Sequence, residues 1–247
     1  MKPKSESEIQ SAAKCKNSDV NMKPTIEAIV PTINEGHAVK EVLLGLSKYT
    51  DRILVIDAYS KDRTVEIAKN LGAKVVMQNS LGKGSALREA FDCVNSDIIV
   101  MLDGDGSMKP EEVPSFLKAL APGVDVVKGS RFLPGGYSED LSLIRTVGNL
   151  LFVSLVNLLW STNYTDLCYG FGAFRTEALR RLCPHLESIN FEIETEIFIK
   201  AKKLGLRIVE VPSVELKRQH GKSNLSSIRD GFRIFRTIIK EIAYKKC

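Results

Sequence analysis

At 247 residues, 44% hydrophobic and 26% charged, the chain has the size and composition of one ordinary globular domain. Its five cysteines (Cys15, Cys93, Cys168, Cys183 and Cys247) form no CxxC pair and sit in no Cys/His cluster. That spacing indicates neither a zinc site nor a disulfide framework and favours a reducing, cytoplasmic setting. The net charge of +5 is unevenly placed: from Lys217 to Cys247 nine Lys or Arg residues face only Asp230 and Glu241, so the C-terminal end suits an anionic partner.

Residues 1–24 are rich in Lys, Ser, Glu and Asn, lack the apolar core of a leader, and are expected to form a disordered tail. From there strand and helix patterns alternate. Ile26 to Val30 is an apolar run ending at Pro31, and Val39 to Leu46 has helical spacing. Ile53 to Ile56 is a second strand, followed by a helix starting near Asp62 and ending at Leu71-Gly72. Lys74 to Met77, Ser85 to Val94 and Asp97 to Leu102 continue as strand, helix and strand, the last running into Asp103-Gly104-Asp105-Gly106. Residues 110–120 read as a helix and Val124 to Val127 as a strand.

The second half is less regular. Residues 141–160 form a long apolar helix, with Val147 to Trp160 shorter than the roughly 20 residues that span a bilayer, so a buried or membrane-resting helix is expected. Phe191 to Leu204 is a helix carrying Glu192, Glu194 and Glu196, and Leu206 to Val211 is a strand. The last element, within 226–247, is a basic amphipathic helix. Ile228, Phe232, Phe235, Ile239 and Ile242 recur at spacings of three and four, with Arg229, Arg233, Arg236 and Lys240 between them. Packing against the sheet is expected for it, with an anionic membrane as the alternative.

Alternating strands and helices imply a Rossmann-like, mostly parallel sheet flanked by helices, whose ligands bind at the carboxyl ends of the strands. Residues 31–35, 57–60, 79–83 and 103–107 therefore share one rim. Asp103 and Asp105, one residue apart at a strand end with glycines that admit a phosphate, have the chemistry to hold Mg²⁺ or Mn²⁺ beside a diphosphate. A plain Asp/Gly turn is the competing reading. Other metal and phosphate motifs fail: an EF-hand from Asp103 would need glycine and glutamate where Met108 and Pro114 stand, and a P-loop around Gly82-Lys83 would need them at Met77 and Gly84 as Gly and Ser/Thr.

PTINE (31–35), VIDAYSKDRT (55–64), GKGSALREA (82–90), DGDGS (103–107), GSRF (129–132) and RQHGKSNL (218–225) stand in an order that resembles family 2 glycosyltransferases. The likeness is greatest to the branch of dolichol-phosphate mannosyltransferases and related polyprenyl-phosphate glycosyltransferases, and it covers about residues 26–230. It implies a GT-A domain over 25–225 and inverting transfer from a GDP- or UDP-sugar that is bound through Mg²⁺ or Mn²⁺. On matching positions, Pro31, Thr32, Asn34, Glu35 and Asp57 would hold the nucleoside, with Lys83 near it. Asp103 and Asp105 would bind metal and diphosphate. Arg131 and Arg218 would contact donor or acceptor phosphate, with Ser223 beside them, as guanidinium forks suit phosphate.

Thr165 to Gly172 resembles the family's acceptor-side segment, in which Asp166 would position the acceptor or brace an arginine. Glu192 and Glu196 share a helix face, and Glu196 is the candidate on the acceptor side, as a base for a hydroxyl acceptor. A polyprenyl phosphate acceptor, already ionised, needs no base and would bring the chain to the cytoplasmic membrane face; a soluble acceptor is the alternative, and nucleic acid is not an expected partner. The sequence departs from the family where Ala58 follows Asp57 and where Ser107 replaces a glutamine expected near the metal. A sugar-phosphate nucleotidyltransferase, the rival from another class, would need a Gly-rich basic loop after the first strand, where PTINE stands instead.

Overall fold

The structure is a computed structural model that describes residues 23–218 and 226–243. Nearly all of the expected N-terminal tail, and Ser223 with the rest of 219–225, lie outside the described residues. The first half is built as β1 (Ile26–Thr32), α1 (Val39–Leu46), β2 (Arg52–Asp57), α2 (Thr64–Asn70), β3 (Lys74–Met77), α3 (Lys83–Asp92) and β4 (Ile98–Met101). These four strands are parallel, so their carboxyl ends fall on one edge. The register pairs Thr32 with Asp57 and Asp57 with Met77, which brings three strand ends level.

Their near-continuous Val/Ile content follows from burial on both sheet faces. Side chains alternate between two cores: Ile29, Leu54 and Ile56 face α3 and the C-terminal helices, while Ala28, Val30 and Val55 face α1 and α2. The chain continues through a 3₁₀ turn (Pro110–Glu112), α4 (Val113–Ala119), β5 (Val126–Ser130), β6 (Tyr137–Ser138), α5 (Leu143–Trp160), β7 (Gly172–Arg175) and α6 (Thr176–Leu182). It ends through α7 (Ile193–Lys203), β8 (Ile208–Pro212), β9 (Val214–Glu215) and α8 (Ser227–Ala243). The main sheet has the order β3-β2-β1-β4-β7-β5-β8, and β6 pairs with β9 apart from it.

Two elements, β7 and α8, depart from the sequence reading. β7, four residues beginning with glycine, was not expected; it lies antiparallel between β4 and β5 and owes its place to pairing on both sides. α5, expected as a buried or membrane-resting helix, is largely exposed: Leu143 and Leu158 are 80% exposed, and its inward seam is Asn149, Val153 and Val156. α8 packs on α5 and α7 rather than on the sheet. Its inward residues are Asp230, Ile234, Ile238 and Glu241, whereas Ile228, Phe232, Phe235, Ile239 and Ile242, the stripe expected to pack, face outward. Ion pairs anchor the inward face, with Glu241 bound by Lys200 and Lys203 of α7.

Candidate active site

The carboxyl ends of β1 to β4 open on a cleft of about 650 Å³ lined by Thr32, Glu35, Ala58, Gln78, Lys83, Asp103 and Asp105, among others. It continues past Arg131 and Cys168 to Ile144 and Phe152 of α5 and Ile228 and Ile234 of α8. β4 delivers Asp103 and Asp105 to this cleft. A side chain at Gly104 would lie 2.7 Å from the Thr32 methyl, and Gly106 has φ +78°, so the glycines let the turn fold down against β1. Asp105 is tightly held: the Ser107 amide and hydroxyl donate to Oδ1 at 2.9 and 2.7 Å, and Arg218 donates to Oδ2 at 2.7 Å.

Lys83 serves Asp103 in the same way, 2.6 Å from Oδ1, and on its other side meets Glu194 Oε1 at 2.6 Å. The two glycines of Gly82-Lys83-Gly84 explain the motif without a P-loop. Gly82 has φ +103° and any side chain there would collide with the Ile189 carbonyl, while one at Gly84 would lie 2.5 Å from the Ser188 carbonyl. The start of α3 is thereby seated on the 188–189 backbone, and Lys83 projects into the cleft. Burial alone would lower the Lys83 pKa; the charges of Asp103 and Glu194 outweigh it and hold the ammonium well above its usual range. Burial moves the Glu194 carboxyl upward, against the pull of Lys83.

Glu35, at the turn after β1, accepts from Arg218 at 3.2 Å. Burial, aided by the charges of Asp105 and Asp103, pushes its pKa up to about 7, with Arg218 opposing. Asp57 is completely buried and does not reach the cleft: its carboxylate accepts from the Thr32 hydroxyl at 2.8 Å and the Ser60 hydroxyl at 2.6 Å, bracing two rim segments. Asn34, at φ +55°, turns toward the 60–61 loop, accepting from the Lys61 amide at 2.8 Å. Pro31 and Thr32 line the cleft, and the place of a second aspartate after Asp57 is taken by the methyl of Ala58.

Beyond β5, Arg131 makes a two-pronged pair with Asp166, Nε to Oδ2 at 2.7 Å and Nη2 to Oδ1 at 3.0 Å. Its remaining reach goes to Glu215 at 3.0 Å and the Cys168 carbonyl at 2.9 Å, and it lies over the Tyr169 ring. Burial would raise the Asp166 pKa, but Arg131 overrides it and keeps the carboxylate below its ordinary value. Asp166 thus braces an arginine. Glu196 stands away from the cleft: it is 2% exposed, accepts from the backbone amides of Glu187 and Ser188, and pairs with Lys200 at 2.9 Å. Glu192 holds the Ile189 and Asn190 amides. The shared face of Glu192 and Glu196 is real, but it fixes the 187–190 segment, and Glu194 between them is the glutamate that lines the cleft.

Sequence reasoning also missed two amides. Gln78 Nε2 and Asn149 Nδ2 are buried without a hydrogen-bond partner among the described residues, and both residues line the cleft. The Asn149 orientation follows from its Oδ1, which accepts from the Leu167 amide at 3.0 Å. Nothing in their local sequence distinguishes them from ordinary polar positions.

Among the described residues no three His, Cys, Asp or Glu side chains gather as a complete metal cage. The donor set suits a different arrangement: Mg²⁺ and its like are commonly held by one or two carboxylates, with water and substrate phosphates completing the shell. Asp103 and Asp105 fit that role, since both line the cleft.

The sequence profile described as Glycosyl transferase family 2 matches residues 27–183. Glycosyltransferase AglJ of Haloferax volcanii is 35% identical over 224 residues, 86% of this chain and 71% of that protein. The dolichyl-phosphate hexose transferase of the same organism is 29% identical over 218 residues, 87% of this chain and 92% of its own length. Among solved structures, glucosyl-3-phosphoglycerate synthase from Mycobacterium tuberculosis, crystallised with Mn²⁺, UDP and glucosyl-3-phosphoglycerate, superposes with a TM-score of 0.71 at 23% identity. The match covers 98% of this chain and 86% of that one, and agrees with the GT-A type of sheet described above. The chain belongs to glycosyltransferase family 2 and is a glycosyltransferase.

Proposed function

We propose that the chain transfers a sugar, with inversion, from a UDP- or GDP-sugar bound through Mg²⁺ or Mn²⁺ at Asp103 and Asp105 to a polyprenyl phosphate. The observation that carries this reading is the pair of aspartates at the end of β4, each paired with a cation, Lys83 or Arg218, that it shares with a glutamate. The metal supplies positive charge for the departing diphosphate. Thr32 and Glu35 border the nucleoside end; Asp57 and Asn34 act there by shaping the rim. Arg218, already in the cleft, stabilises developing negative charge. Arg131, fixed by Asp166, presents a rigid cation toward the acceptor end. Ser223 belongs beside Arg218 by motif alone. The acceptor phosphate oxygen attacks the anomeric carbon as the bond to the diphosphate breaks on the opposite face, and no base is required because the nucleophile is already ionised.

The lipid acceptor is supported by the far end of the cleft, where α5 and α8 contribute apolar walls. Their outward faces expose Val147, Leu151, Leu158, Phe232 and Phe235, and Arg229 and Arg236 flank the apolar stripe of α8. An exposed apolar surface edged with cations suits a peripheral place on an anionic, cytoplasmic membrane face. The names of relatives, including an undecaprenyl-phosphate mannosyltransferase from Micrococcus luteus that is 30% identical over 217 residues, point the same way.

The test is transfer of labelled sugar from UDP- and GDP-sugars, with Mn²⁺, to a short-chain polyprenyl phosphate in detergent. The expected product partitions into organic solvent and has the anomeric configuration opposite to the donor. Transfer to soluble hydroxyl acceptors alone would overturn the acceptor, and pyrophosphate release from a nucleoside triphosphate plus sugar phosphate would overturn the reaction class.

A further inference from the structure

Lys83 has two carboxylates for one ammonium. Asp103 Oδ1 and Glu194 Oε1 each lie 2.6 Å from Nζ, and the lysine and glutamate side chains are 10% and 6% exposed. The fold reserves space for this cluster: a side chain at Gly170 would sit 2.8 Å from Glu194 Oε1 and 2.9 Å from Lys83 Nζ. Lys83 is also a fixed post, because α3 begins hard against the 188–189 backbone and Phe191 lies under the ammonium at 5.7 Å. Across the cleft Arg218 repeats the pattern, shared between Asp105 and Glu35.

We propose that Lys83, positioned by Glu194, is the internal counter-ion of Asp103 that a divalent cation must displace, so that metal binds weakly alone and tightly together with the donor's diphosphate. This rests on the metal-dependent donor site proposed above. A divalent ion reaching Asp103 while Lys83 remains there sets like charges a few ångströms apart in a half-closed cleft, where their repulsion is poorly screened. The diphosphate removes that conflict by giving Lys83 a new anionic partner. Lys83 releases Asp103, keeps Glu194, and faces a phosphate oxygen; no covalent bond changes. Glu194 is a positioning residue, because its carboxylate lowers the penalty for Lys83 to leave Asp103.

The test is Mn²⁺ binding, read from the signal of free Mn²⁺ by electron paramagnetic resonance, with and without UDP or GDP. It uses the full chain and the variants Lys83→Met, Glu194→Gln and Lys83→Met/Glu194→Gln. The wild-type protein should bind Mn²⁺ at least about tenfold more tightly with the matching nucleotide. Lys83→Met should tighten binding of Mn²⁺ alone and shrink that enhancement. Glu194→Gln should weaken Mn²⁺ binding in the wild-type background but not in the Lys83→Met background, a coupling that a purely structural role would not produce. The double variant removes both buried charges together and serves if Lys83→Met alone folds poorly. Equal Mn²⁺ affinity in wild type and the lysine variants, with nucleotide-dependent binding intact, overturns the counter-ion role alone. No Mn²⁺ binding with either nucleotide overturns the metal-dependent site and this inference with it.

Discussion

The two ends of the cleft are built by different means. At the β1–β4 end, functional groups sit on strand termini and tight glycine turns, partly exposed, with Lys83 and Arg218 drawn in from elsewhere to neutralise Asp103 and Asp105. At the α5–α8 end the polar groups are locked in place: Arg131 and Asp166 are almost wholly buried and satisfy each other, and the rest of the wall is apolar. The first end is built for charges that exchange partners, the second for a fixed cation beside a greasy surface. Substitutions should therefore separate, with the first end failing in chemistry and the second in stability.

The largest effect is expected at the first end. Asp105→Asn keeps the side chain's size but removes the charge proposed to hold metal and diphosphate, and should lower kcat by about 10³-fold or more. Its circular dichroism spectrum should stay that of the wild type. Retained turnover would break the contrast at its strongest point.

Asp166→Ala should act on the fold. It breaks the two-pronged buried pair and leaves the Arg131 guanidinium with Glu215 as its remaining carboxylate, a loss of up to about 3–5 kcal/mol, visible as a lower urea midpoint. Unchanged stability would show that the acceptor end tolerates loose charge as the donor end does.

A smaller and opposite signature belongs to Gln78. Its buried amide, unpartnered among the described residues, is a burden of about 1–3 kcal/mol to the free protein, so Gln78→Leu should leave stability equal or higher. Nucleotide affinity, measured by calorimetry, should fall about tenfold, roughly the worth of one hydrogen bond in a binding site. Unaltered nucleotide binding would remove Gln78 from the donor end.

The mildest test concerns Cys168, where the two ends meet. Burial, with the nearby Asp166 charge, pushes its thiol up to about 12, and burial does the same at Cys183. Because a raised thiol pKa leaves little thiolate below it, both residues should resist iodoacetamide at pH 8 and become reactive only as pH climbs toward that value. Rapid labelling of Cys168 at pH 8 would mean that the junction is more open than its packing implies.

How much of this was legible in the sequence follows the same division. The alternating runs from Ile26 to Leu102 become β1 to β4 because their apolar periodicity and turn residues agree with their final burial. Asp103, Asp105 and Lys83 could be placed on one rim from the alternation of strands and helices alone. β7 was hidden because a short segment opening on Gly172 becomes a strand only through its neighbours on both sides. The seam of α8 was misread because the strongest periodic stripe, Ile228 to Ile242, is the one left outward, and Ile234 and Ile238 were masked by the arginines around them. Glu194 was passed over for Glu196 because helical spacing says which residues share a face but not which face meets a ligand. Asp57 looked like a ligand contact, yet Thr32 and Ser60 engage it beneath the rim.

The most direct measurement of the central claim is the thermal unfolding of the full chain with UDP, GDP, ADP, CMP and dTDP, each with Mn²⁺ and with EDTA. A ligand bound only by the folded state at a hundred times its Kd adds about 2.7 kcal/mol, equivalent to a Tm rise of about 5–10 °C for a domain of this size. The account predicts such a rise with UDP or GDP, present with Mn²⁺ and lost with EDTA. Equal shifts in both conditions, or none with any nucleotide at saturation, would contradict a donor site held through metal at Asp103 and Asp105.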